Sequence, residues 1–330
     1  MPDVAAIERA HRNAVATPKP RISRETLVAW LFISPWVFGF VVFLLGPLIA
    51  SVALSFYRWD LIGSPRFIGL ENYRELFGDR LFKQALKVTS SYALMRVPLG
   101  IASGLAVALL LNMNVKFQGF WRVVYYMPVV LPPVAVSLLW TWIYNPQYGI
   151  ANGLLAQIGI EGPAWLQSTT WVLPSLMLMA VWGAMGKDML IYLSGLQSVS
   201  PDLYGAATMD GAGSWNKFRH ITLPMLTPII FFNLVTGLID TFQLFTQAYV
   251  MTQGGPRNSS LFVYFYLFQN AFERFRMGYA SAMGVVITLL ILTLTLLVLK
   301  SSSVWVYYEG EVAGDDKDKS GDSKKKKRST

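Results

Sequence analysis

Cysteine is absent from the 330 residues, so the chain can build no disulfide framework, thiolate nucleophile or thiolate metal site. Histidine is scarce: His11 sits in a polar N-terminal stretch and His220 in a loop far along the chain, which argues against a histidine metal centre. Charge is thin as well. Asp, Glu, Lys and Arg make up 14% of the residues, against about a quarter in an ordinary soluble domain. Neither a G-x-x-x-x-G-K-[ST] phosphate loop nor a G-x-S-x-G elbow occurs, so the usual scaffolds for nucleotide hydrolysis and serine chemistry are missing. An intramembrane enzyme is left without a recognisable nucleophile.

What is present is apolar: 54% of the residues are hydrophobic, mean hydropathy is +0.42, and the apolar residues gather into long runs. Six runs, at about 27–53, 85–111, 120–143, 171–195, 223–250 and 279–299, are each long enough to cross about 30 Å of hydrocarbon as a helix. The expectation is an all-α membrane protein with six transmembrane helices. The first run is longer than a signal-peptide core and lacks a convincing cleavage site, so it reads as a retained anchor.

Much of the net charge of +9 lies in the tails, with Lys324 to Arg328 contiguous. A juxtamembrane basic tail on anionic lipid accounts for it without invoking nucleic acid. With the N-terminus inside, the inner loops and tails (1–26, 112–122, 196–223 and 300–330) carry 17 Lys and Arg, against 8 on the outer loops 54–84, 144–170 and 251–278. Both termini are therefore expected in the cytoplasm. The residues after Gly310 are charged, low in complexity and expected to be disordered.

Several stretches invite two readings. The first outer loop mixes charges with aromatics between Tyr57 and Gln84, as a solvated loop with interfacial helices or as a docking surface. Pro128, Pro132 and Pro133 must interrupt backbone hydrogen bonding in the third run, giving either a packing kink or the wall of a cavity. Trp140, Trp142 and Tyr144 then read as an aromatic belt. Arg96, Lys187, Asp188 and Asp240 fall inside spans, where charge is costly and usually paired. Arg96 and Asp240 count to similar depths and are expected to pair, while Lys187-Asp188 reaches toward the inner interface by snorkelling. Such a set also fits a relay in a stand-alone ion-coupled secondary transporter or channel, which stands as the alternative function.

Residues 200–224 are punctuated like a built element. Ser200 suits an N-cap, Pro201 the first helical position and Asp202 the positive end of the helix dipole. Gly211 and Gly213 permit left-handed or otherwise awkward backbone, Ser214 can cap a second helix, and Trp215, Phe218 and Ile221 are spaced to pack that helix against the bundle.

Within this stretch Gly205-Ala206-Ala207, three residues, Gly211, nine residues, Ile221, one residue and Leu223-Pro224 reproduce the spacing EAA-x3-G-x9-I-x-LP. The chain thereby resembles the membrane subunits of binding-protein-dependent ABC importers. One residue departs from the pattern, Gly205 standing where a Glu is usual. Met251 to Pro256, Met277 to Ala282, Leu193 to Gln197, the proline-rich third run and Trp305 to Gly310 look like the carbohydrate-type permeases.

The resemblance implies a six-helix bundle of the type I ABC importer permease kind, with residues 1–26 a cytoplasmic tail, 27–84 the first transmembrane helix and external loop, 85–300 the importer transmembrane domain with its coupling loop at 200–224, and 301–330 a mostly disordered cytoplasmic tail. It implies a non-catalytic sugar-importer subunit forming half of the pathway. Leu203, Gly205, Ala206, Ala207, Asp210, Gly211 and Ala212 would couple it to a cytoplasmic ABC ATPase dimer. Trp182, Gly186, Phe242, Gln243, Phe245 and Tyr249 would lie along the substrate pathway. No cofactor or metal would bind this chain, ATP and Mg2+ being held by the partner ATPase. The other partners implied are a second, different permease chain, an extracytoplasmic sugar-binding protein, the carbohydrate and the lipid bilayer of a bacterial or archaeal inner membrane.

Overall fold

The computed structural model describes residues 24–113 and 115–307. The expectations for the first 23 residues and for the basic tail beyond Tyr307 lie outside the described residues. The chain divides into two compact units, the first ending at Ala53 and the second beginning at Leu54.

The first unit is built from α1 (Arg24–Phe40), a π-helical turn at Val41–Leu45 and α2 (Gly46–Leu54, whose last residue opens the second unit). Together they form one apolar span of 31 residues that begins three residues before the apolar run.

The second unit opens with a two-residue hairpin, β1 (Tyr57–Arg58) antiparallel to β2 (Arg66–Phe67), followed by α3 (Glu71–Gly78). Four long helices, or chains of helix, make its body: α4 (Arg80–Asn112), α8 (Val172–Ser198), the run Ser214–Phe242 and α13 (Met277–Trp305). The run comprises α10 (Ser214–Lys217), a π turn at Phe218–Thr222 and α11 (Leu223–Phe242). Each exceeds the roughly 20 residues that a bilayer core requires. Their outer faces carry exposed Leu94, Leu178, Leu289 and Leu296, an exterior that only hydrocarbon would satisfy.

The remaining crossing is not straight. α5 (Gln118–Val130) and α6 (Pro133–Ile143) meet at an angle of 99°, because Pro132 and Pro133 have no backbone N–H to continue the ladder. Five described helical spans are long and apolar enough to cross a membrane, or six if the bent pair counts as one. The fifth expected run also ends early: α11 stops at Phe242, and the chain re-enters helix only near Ala248–Thr252. Between α6 and α8 lies α7 (Ile150–Gln157), and α12 (Val263–Phe268) precedes α13.

Two apolar cores hold these helices. Phe82, Val88, Tyr92, Leu176, Phe262 and Met283 belong to one; Val107, Leu111, Met189, Leu193, Leu196 and Leu226 belong to the other. Along α4 the buried residues of the first core end at Ala93 and those of the second begin at Val107; between them Arg96, Ser103 and the glycines Gly100 and Gly104 stand among the apolar Val97, Leu99 and Ile101, a partly polar layer. Close approach there depends on glycine: a Cβ on Gly104 would lie 2.6 Å from the Asp188 Cβ, so α4 and α8 meet face to face only without one.

The aromatic belt expectation does not hold for Tyr144. Trp142 is exposed, but Tyr144 is 2% exposed and donates its hydroxyl to the Ser175 carbonyl at 2.9 Å. Burial with a satisfied hydroxyl is worth more to an amphipathic ring than an interface position. The first outer loop is folded against the later part of its own unit: Arg276 pairs with Glu75 at 2.6 Å, and Tyr266 and Tyr279 both donate to the Asp79 carboxylate, at 2.6 and 2.7 Å.

Candidate functional site

Two places carry chemistry. The first is the element between α8 and α11. α9 (Pro201–Met209) starts where Ser200 accepts the Asp202 backbone N–H at 3.3 Å. It ends in a Schellman turn: Ala212 N–H donates to the Ala207 carbonyl at 2.9 Å and Gly211 N–H to that of Thr208 at 3.1 Å, with Gly211 at φ +76°. Gly213, by contrast, is extended at φ −72° and itself precedes the next helix, so Ser214 is the first helical residue rather than its cap. The two arms are braced by Lys217 Nζ donating to Thr208 Oγ1 at 2.8 Å and by the Tyr204 and Thr222 hydroxyls at 2.9 Å.

Leu203, Gly205, Ala206, Asp210 and Gly211 are exposed, and Ala207 and Ala212 half-buried. Trp215 departs from the packing expectation: its ring meets that of Phe218 at 5.5 Å in a tilted arrangement, but the residue remains 67% exposed. With Leu203 and Met209 it gives this element an apolar exterior. Space around Gly205 is open, and a Cβ there would meet nothing within 4 Å, so the missing carboxylate reflects no steric bar.

The second place is a cavity of about 470 Å³ at the polar layer. Pro128, Leu131 and Pro133 from the α5–α6 break form one wall, which decides the third-run prolines in favour of a cavity. Met179, Gly183 and Lys187 of α8 and Asp240, Thr241, Gln243, Phe245 and Gln247 around the end of α11 form the rest, with Arg96 of α4 between. Arg96, Lys187 and Asp240 also line a smaller cleft of about 80 Å³ that includes Asp188 and Asn233.

The four intramembrane charges are thus brought together, though not as paired from depth alone. Lys187 Nζ, not Arg96, faces Asp240, at 3.9 Å with both side chains about half exposed. Arg96 donates to the Gly237 carbonyl at 3.3 Å and to Thr241 Oγ1 at 3.4 Å. The reason is rotational: Gly237 and Thr241, four residues apart, share the face of α11 toward Arg96, whereas Asp240, next to Thr241, is turned about 100° from it, a phase that depth counting ignores. Lys187 and Asp188 accordingly face interior clefts rather than snorkelling.

Of the six residues expected along the pathway, Gln243 and Phe245 line the cavity. Phe242 is a core residue, 3% exposed. Gly186 is a packing glycine, where a Cβ would collide with the Tyr125 carbonyl oxygen. Trp182 packs edge-on against Trp140 at 5.6 Å, and Tyr249 stacks on Phe245 at 5.4 Å, outside the lining. Thr241, Thr246 and Gln247 line it too and no sequence signal pointed to them, because the chain leaves helix from Gln243 to Phe245 and no helical spacing relates them. Among the described residues no group of three or more His, Cys, Asp or Glu is placed to hold a metal ion.

Residues 97–302 match the family described as the binding-protein-dependent transport system inner membrane component. This chain belongs to that family. A probable ABC transporter permease of Bacillus subtilis, YesP, is 42% identical over 305 residues, covering 91% of this chain and 98% of its own. The sulfoquinovosyl glycerol transport system permease SmoG of Agrobacterium fabrum and the lactose transport system permease LacF of Rhizobium radiobacter are each 34% identical, covering 84% and 79% of this chain and 90% and 89% of theirs. A chain of the bacterial alginate ABC transporter, crystallised with an alginate pentasaccharide-bound periplasmic protein, shares the fold at a TM-score of 0.75 and 23% identity, over 84% of this chain and 95% of that one.

The chain is therefore a multi-pass permease subunit of the type I importer fold. The charged layer is a feature inside a permease, and the stand-alone ion-coupled transporter finds no support among these relatives.

Proposed function

We propose that this permease forms half of the translocation pathway of an ATP-driven carbohydrate importer, pairing with a second permease chain and receiving its substrate from an extracytoplasmic sugar-binding protein. The relatives named for lactose and sulfoquinovosyl glycerol transport support the substrate class. The observation that carries the coupling role is the Schellman-closed α9 and the α10 arm it turns into, which present Leu203, Met209 and Trp215 outward, with α10 running without a break through the π turn into α11, whose far end lines the cavity.

A cytoplasmic ATPase dimer docks on that element, through shape and small residues rather than through a carboxylate at position 205. ATP and Mg2+ are held by the ATPase, and this chain is non-catalytic. Both termini lie in the cytoplasm, as the excess of Lys and Arg on that side favours. Contacts at α9 drive transport only if they differ in strength between the closed and open ATPase.

The test is reconstitution of this chain with its partner permease, ATPase and binding protein in proteoliposomes. ATP-dependent sugar uptake that disappears when the ATPase is withheld is expected; uptake driven by an ion gradient without the ATPase would sink the reading.

A further inference from the structure

Arg96 lines both the large cavity and the small cleft, half-buried in a span where an isolated cation is costly. Among the described residues no carboxylate lies within ion-pair distance of it. Its two hydrogen bonds, to the Gly237 carbonyl and Thr241 hydroxyl, come from a single nitrogen and are long, at 3.3 and 3.4 Å. A guanidinium has five N–H donors in a planar fork, so most of this one's capacity is unused. Asp188 lines only the small cleft, while the large cavity presents Arg96 and Lys187 against the single carboxylate of Asp240. Lys187 already faces Asp240 at 3.9 Å, and Asp188 attracts Arg96 across the small cleft without contacting it, so on the large cavity's side the Arg96 guanidinium meets no carboxylate of its own.

The rest of the lining suits a sugar ring. Phe245 offers an aromatic edge or face for C–H groups, and Gln243, Thr246 and Gln247 offer a hydroxyl and amides. We propose that the cavity binds a sugar carrying an oxyacid anion, a carboxylate or a sulfonate, with the Arg96 fork clasping the anion and Gln243 and Gln247 meeting ring hydroxyls. The assignment rests on the carbohydrate-import reading and narrows it from sugars to acidic sugars. Charge-assisted, bidentate recognition of this kind is the strong form of hydrogen bonding.

The probes are the methyl glycosides of glucuronate, galacturonate and mannuronate, each beside its neutral hexoside, and methyl 6-deoxy-6-sulfoglucoside. Binding to the assembled transporter in nanodiscs is followed by saturation-transfer-difference NMR, which detects weak ligands. At least one anionic glycoside is expected to bind ten-fold or more tighter than its neutral twin, and Arg96→Gln to bring that ratio to about one. A preference for uronates alone, or for the sulfonate alone, tells which anion the site takes. Equal binding of every anionic and neutral pair by the wild type overturns the assignment, as does a ratio that survives Arg96→Gln. If that variant fails to assemble, Arg96→Lys keeps the charge without the fork, and an undiminished ratio then counts against it. Uptake by the complete assembly is scored separately: neutral sugars carried without anion preference sink only the cavity assignment, whereas no ATP-driven uptake of any sugar sinks the import reading.

Discussion

Replacing Gly211 tests the coupling element through backbone conformation alone. At φ +76° the residue stands in the left-handed region, and a Cβ built there meets nothing within 4 Å. Substitution therefore adds no clash inside the chain; its cost is the left-handed conformation itself, about 1–2 kcal/mol for an ordinary L residue. A β-branched side chain stands at the upper end or beyond, whereas Asn tolerates this region comparatively well. If only the closed Schellman turn presents α9 to the ATPase, a loss of 1–2 kcal/mol lowers the ratio of competent to incompetent form roughly 5–30-fold. The expected order of apparent ATPase affinity is wild type, Gly211→Asn, Gly211→Ala, Gly211→Val, measured by titrating the ATPase onto the permease assembly in nanodiscs, with ATP-driven uptake following the same order. Membrane insertion should be unchanged in all. Wild-type affinity in Gly211→Val would refute the reasoning. An Asn variant as weak as the Val variant would show that side-chain bulk at a docked surface matters rather than backbone handedness.

Three further outcomes follow from the geometry. Gly186→Val forces a side chain against the Tyr125 carbonyl, which is backbone and cannot swing aside, so the thermal stability of the assembled permease should drop by the equivalent of about 1–3 kcal/mol; an unchanged melting profile would contradict the packing of α5 on α8. Leu203→Glu places a charge on an exposed side chain of α9, so stability should stay within about 0.5 kcal/mol while copurification of the ATPase falls, and retained copurification would remove α9 from the interface. The Asp79 carboxyl is raised by burial, but the hydrogen bonds from Tyr266, Tyr279 and the backbone of Leu81 and Phe82 outweigh that and hold it below its ordinary value. A depressed carboxyl stabilises the fold above its unfolded pKa near 3.9, so this contribution is present at neutral pH and is lost as pH falls from about 4 through the lower folded value. Thermal melts over pH 3–7 should show that loss in the wild type and a flatter profile in Asp79→Asn; equal slopes would refute it.

Much of the fold is local and hence readable. The apolar runs at 85–111, 171–195 and 279–299 reappear as helices within about five residues, at Arg80–Asn112, Val172–Ser198 and Met277–Trp305, because hydropathy over some 20 residues is a property of the chain itself. Ser200, Pro201 and Gly211 act through their own backbone or their nearest neighbours, and each stands in the expected place at the ends of α9.

The cavity is different in kind. Its wall draws on α4, the α5–α6 break, α8 and the end of α11, from Arg96 to Gln247, and which side chains face it depends on how each helix is rotated about its axis. That rotation is set by packing, such as Gly104 against Asp188 and Gly186 against Tyr125. Of the residues expected on the pathway, Trp182, Gly186 and Phe242 are held in the packing around the cavity, and Tyr249 is exposed outside its lining.

By itself the sequence determined that the chain lies in a membrane, where its spans run, and that residues 200–224 form a capped helix and turn with an importer's motif, since each depends on hydropathy, capping or spacing along the chain. Only the tertiary structure decided that Lys187 rather than Arg96 faces Asp240, that the third span breaks by 99° into a cavity wall, and that Trp215 points outward. These depend on the relative rotation and approach of helices distant in sequence, which side-chain packing sets and no single stretch of the chain encodes.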